Sequence, residues 1–195
     1  MSKSLNVIQT ISKIAKVICS IGFVFSIIGG VGCLIGIASL SAFDGLVIDG
    51  KEFSEYIIDL GEVNVHTAYE RMTYSVLSCI AGGIVLKFAE RYLAHEIADG
   101  TPFTERGASE ILRLGILIIL LPLAAIILGG IAHGIFTAFW KDVAAFEADN
   151  VSIGAGFFCI LLSFLFRYGA EVKECNRELT KRQQKAVDEP NEREV

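Results

Sequence analysis

Four long apolar stretches, each free of charged side chains, alternate with short polar segments: Val17 to Phe43, Met72 to Leu86, Leu114 to Trp140 and Asn150 to Phe166. A helix needs about 20 apolar residues to cross about 30 Å of hydrocarbon, and roughly 17 at the least. The first and third stretches exceed that length. The second is short, and it reaches across only if Lys87 keeps its methylenes in lipid and extends its ammonium to the interface, which adds Phe88 and Ala89 to the helix. The fourth ends in Arg167 and Tyr168, residue types that anchor a helix at the membrane surface. The pattern predicts an all-α membrane protein, a bundle of four transmembrane helices over about 17–41, 71–92, 112–138 and 151–170 within a single domain 1–180. From Lys181 apolar residues almost vanish, and 181–195 is expected to be a disordered tail.

The polar segments are less uniform. Ahead of the first span, Leu5, Ile8, Ile11 and Ala15 fall at helical spacing. They predict either an amphipathic lead-in on the membrane surface or a plain extension of the first helix. Between the first two spans, Leu46-Val47-Ile48, Asp49-Gly50 and Lys51-Glu52-Phe53 read as a β-hairpin, because Asp-Gly suits a type I′ turn; Ser54 to Gly61 offers a short helix as the alternative. The acids of this loop read as a solvated face. The central island Lys87 to Arg113 is specified most closely. Asp99-Gly100 should stop the second helix, Pro102 should hold an extended turn before Phe103, and Thr104 should cap the third helix with Glu105 in its first turn. Glu90, Arg91, Glu96, Arg106, Glu110 and Arg113 then make a mixed-charge collar beneath the bilayer. Past the fourth span, Tyr168, Val172, Cys175 and Leu179 share one helix face and predict a partner helix, internal (Phe88, Tyr92 or Ile97) or from another protein.

Composition supports the membrane assignment: 53% of residues are hydrophobic and mean hydropathy is +0.56. Charge supplies orientation. With both termini and the central hairpin cytoplasmic, only Lys51, Arg71 and Lys141 of the 17 Lys and Arg residues lie outside. The net charge of -5 gives no reason to expect direct nucleic-acid binding. Cys19, Cys33, Cys79, Cys159 and Cys175 have no C-x-x-C spacing, so they predict neither a disulfide framework nor a zinc site. The first apolar run is far longer than a signal-peptide core. Glycine pairs Gly32/Gly36 and Gly130/Gly134 predict close helix packing, within the chain by preference or across a homo-oligomer. Pro122 interrupts one backbone hydrogen bond in the third span, and His133 near its outer end has no carboxylate or second histidine at helical spacing. Ser163 and His133 are expected near opposite leaflets, so no catalytic dyad, cofactor site or metal site is expected, and the chain reads as non-enzymatic.

Two stretches carry a resemblance: Gly100-Thr101-Pro102-Phe103-Thr104 before the third span and Phe166-Arg167-Tyr168-Gly169-Ala170-Glu171 after the fourth. They resemble the signatures of domain-of-unknown-function family twenty-nine seventy-five, in the same order and topology. The chain departs from that pattern at Asn176-Arg177-Glu178-Leu179-Thr180, where a more acidic Asn-Asp-Leu-Thr-like finish is usual. The resemblance implies a four-span protein of the bacterial cytoplasmic membrane without assigned chemistry, and a small helix-turn-helix regulator as a cytoplasmic partner. The expected role is regulatory or accessory, through a cytoplasmic partner; the alternative is a small-solute transporter or channel acting as a homo-oligomer.

Overall fold

The computed structural model describes residues 3–42, 47–48, 51–52, 64–101, 103–141, 143–146 and 153–188. Four helices carry the fold: α1 (Lys3–Ala42), α2 (Val65–Asp99), α3 (Glu105–Phe139) and α4 (Ile153–Asp188). Between α1 and α2, β1 (Val47–Ile48) pairs antiparallel with β2 (Lys51–Glu52), Val47 opposite Glu52 and Ile48 opposite Lys51. Asp49, Gly50, Ser54 and Gly61 lie outside the described residues.

Each of the four helices is long and apolar enough to cross a membrane. Their large apolar side chains point outward, Phe25, Ile28, Ile127 and Phe158 among them, and no large side chain among the described residues is fully buried. This is the inverse of a water-soluble core and suits a hydrocarbon solvent, in which association rests on close packing and polar contacts rather than on burial. The chief buried apolar cluster is small: Leu40 and Ala68, flanked by Val65, Tyr69 and Met72.

Packing is serial. α1 lies on α2, α2 on α3 and α3 on α4, and among the described residues α1 and α4 share no extended interface, so the bundle stays open on one side. Small residues set the crossings. Along α1, Leu86 covers Gly22, Cys79 covers Gly29 and Gly30, and Met72 covers Gly36. Gly115 of α3 and Gly156 of α4 meet backbone to backbone, since a Cβ built on either would stand 2.9 Å from the other's carbonyl oxygen. The close approach is therefore made by a glycine pair split between two helices, a pairing that spacing within one helix does not reveal. Among the described residues, no neighbouring helix comes within 4 Å of a Cβ built on Gly32, Gly130 or Gly134. Among those residues, packing between helices uses Gly36 of the two predicted pairs.

At the ends one open expectation is decided and another changes. Residues 3–16 are the first turns of α1, the extension of the first helix given above as an alternative, and Ser12 is buried there and donates its hydroxyl to Glu96 of α2 at 3.1 Å. The tail expected to be disordered from Lys181 continues α4 as helix to Asp188. Lys, Arg, Gln and Ala are good helix formers, and extending an existing helix avoids the nucleation cost. Pro122 leaves α3 unbroken. Gly100, at φ 68°, turns the chain back along α2, so the starts of α1 and α3, the end of α2 and the middle of α4 gather at one end of the molecule, here the turn end.

Candidate functional site

The turn is built as the residues dictate. Gly100 adopts the left-handed conformation that an L side chain resists and donates its N–H to the Glu96 carbonyl at 3.0 Å. Thr104, in extended conformation, accepts from the Gly107 N–H at 2.9 Å, with Glu105 in the first turn of α3. Pro102 lies outside the described residues. Phe103 then joins the turn to α4: its ring sits edge-on to Phe166, centroids 5.6 Å apart, and a Cβ on Gly169 would fall 2.5 Å from it. Phe103, Phe166 and Gly169 come from the two separate sequence stretches described above, which the fold brings into contact.

This contact orients α4. Gly156, Ser163, Phe166, Gly169 and Ala170 face α3 and the turn, and beyond the Phe103 contact a cleft of about 290 Å³ separates Thr104 and Glu105 from Ala170, Lys173, Glu174 and Arg177. Tyr168, Val172, Cys175 and Leu179 occupy the opposite side and are all exposed. Of the internal alternatives, Phe88 is itself exposed and Tyr92 is buried at the α2–α3 contact.

Next to the turn, the charged collar closes around a residue that the sequence pattern does not single out. His95 Nδ1 lies 2.8 and 2.9 Å from the two oxygens of Glu110, and His95 Nε2 lies 2.9 Å from Arg106 Nη2. A guanidinium can only donate and a carboxylate only accept, so Nδ1–H donates to Glu110 and Nε2 accepts a hydrogen bond from Arg106. Arg106 Nε also reaches Glu110 at 3.1 Å. Desolvation raises the Glu110 pKa, but the hydrogen bonds and charges of His95 and Arg106 outweigh it and hold the carboxyl below the usual range. Of the other collar residues, Glu90 pairs with Lys87 at 2.9 Å, and that ammonium lies 5.2 Å from the centre of the Phe23 ring.

A second histidine–carboxylate pair lies at the far end. Glu70 of α2, its side chain only 5% exposed, accepts from His133 Nδ1 of α3 at 3.0 Å. The segment after α3 closes over it: the Ala144 N–H donates to Thr67 at 3.0 Å, and Phe146 sits edge-on to Tyr74 and 5.9 Å from the imidazole. Gly129 makes room, since a Cβ there would stand 2.6 Å from the Tyr74 ring. Glu70 is 63 positions from His133 in the chain, so no spacing within one helix could signal the pair. Beside it, His66 stacks on Trp140 at 4.9 Å. Ser163 is far from His133 and donates to the Ile160 carbonyl of its own helix. No cluster of three metal-ligating side chains occurs among the described residues.

Comparison with known proteins finds no matching family, no matching curated protein and no matching solved structure.

Proposed function

We propose that this is a multi-pass membrane protein, its turn end and both termini cytoplasmic, with a non-enzymatic regulatory or accessory role exercised by holding a protein partner on the cytoplasmic part of α4. The Lys and Arg bias supports the orientation, leaving only Lys51, Arg71 and Lys141 outside. One observation carries the partner: Tyr168, Val172, Cys175 and Leu179 stand exposed on one side of a helix whose other side is turned to the Phe103 turn. Apolar side chains aligned on a helix in water are a docking face for another helix. Purification from native membranes in mild detergent, with mass spectrometry of what accompanies the chain, tests this. A specific partner should be lost when Tyr168, Val172 and Leu179 are all changed to Glu, and an unaltered set of companions sinks the reading.

The Glu70–His133 pair favours a second reading, a small-solute transporter or channel. Ionisable groups at the edge of a span are costly and tend to be retained for use. Reconstituted protein that moves no ion or solute, or whose flux is unchanged by His133→Ala, counts against it.

A further inference from the structure

Helix α4 bears two faces of different kinds. One is taken up by α3 and the turn. The other is Phe158, Leu161, Leu165, Tyr168, Val172, Cys175 and Leu179, in strictly alternating steps of three and four with no break where the helix leaves its apolar stretch at Arg167. The six of these other than Cys175 are 42–69% exposed, and Cys175 is exposed too. Steps of three and four average 3.5 residues, the period of a left-handed coiled-coil seam.

Lipid satisfies the upper half of this seam but cannot satisfy the lower half. Between Glu171 and Gln184 the apolar residues are Val172, Cys175 and Leu179 alone, all on the seam, and every residue of that stretch is exposed. A solitary helix of that length is marginal in water. An occupant that follows the unbroken seam over its whole length presents a matching stripe on both sides of the membrane surface, as a helix that crosses the bilayer and runs on for several turns. A soluble protein reaches only the lower half. Two helices of this chain carry an exposed stripe of this period, α1 from Ile11 to Ile28 and α4 itself, and in a second copy inserted with the same topology it is α4 that runs parallel to the seam.

Two copies inserted with the same topology hold their α4 helices parallel, related by a two-fold axis along the membrane normal. The residues flanking the seam agree. In a parallel pair Glu171 stands across from Asn176 of the second copy and Glu178 across from Gln183, acid against amide; an antiparallel pair would set Glu against Glu. The seam ends at Arg182, the next position in the pattern. We propose that the Phe158–Leu179 seam of α4 is the interface of a parallel homodimer, so that the partner held on the cytoplasmic face is a second copy of this chain. This rests on the reading of that face given under the proposed function.

The experiment uses full-length protein in native membrane vesicles, with Cys19, Cys33, Cys79 and Cys159 changed to Ser and Cys175 kept. Mild oxidation followed by a non-reducing gel should give a covalent dimer, because facing seam positions of a parallel pair come within disulfide reach. With Cys175→Ser added, Val172→Cys and Leu179→Cys should restore the dimer, and Lys173→Cys and Arg177→Cys should give several-fold less. Equal yields at seam and off-seam positions overturn the dimer. A photo-crosslinker placed at position 172 in the same vesicles separates the two failures. An adduct with the mass of two chains supports the dimer. An adduct with another protein overturns the dimer and leaves the partner-holding role intact, and the absence of any adduct overturns both.

Discussion

The two histidine–carboxylate pairs use the same atoms in opposite settings. At the turn end His95 and Glu110 are about a quarter exposed, and Arg106 joins both. At the far end Glu70 is nearly sealed and His133 is the partner the structure gives it, beneath Phe146 and Tyr74. The first pair has water and a fixed cation to fall back on. At the second the imidazole is about as exposed as His95, but the carboxylate is far more shielded and no Lys or Arg pairs with it among the described residues, so an identical hydrogen bond should matter more to the fold there.

Removing the imidazoles tests that contrast most directly. His133→Ala leaves a buried carboxylate uncompensated and should lower stability by about 3 kcal/mol, read from thermal or denaturant unfolding in detergent by circular dichroism. A loss no larger than that of His95→Ala would erase the contrast. Gly129→Ala comes next, since its Cβ must displace the Tyr74 ring packed beside the Glu70–His133 pair; the expected loss is about 2 kcal/mol. His95→Ala should lose only about 1 kcal/mol, because Arg106 remains on Glu110. The smallest effect lies in acid. A carboxyl whose folded pKa is lowered contributes stability that is complete above its unfolded value and lost as the pH falls through the folded one. Glu110 should therefore cost stability only below about pH 4.3, and Glu110→Gln should flatten that acid limb of the melting profile.

What the sequence makes legible follows from the range of each interaction. The Gly100 stop and Thr104 cap are local, set by residues within four positions, and the structure forms them where the pattern predicts. Apolar run length likewise yields four helices long enough to cross a membrane. The histidine pairs are joined across helices, by 15 positions for His95–Glu110 and 63 for His133–Glu70, and periodicity along one helix carries no information about them. The same limit explains why Gly130-xxx-Gly134 looks like a packing motif while the close approach is made by Gly115 and Gly156. The ordered end of α4 was hidden for another reason: low apolar content signals the lack of a core, but not the lack of a helix that a preceding helix can extend.

Gly156 against Gly115 and Gly169 against the Phe103 ring hold α4 at two points about 20 Å apart at 1.5 Å per residue, and about 28 Å of the same unbroken rod runs on from the second point to Asp188. A change in tilt, such as a change in bilayer thickness would impose, therefore has to move α3, the turn and the projecting end of α4 together.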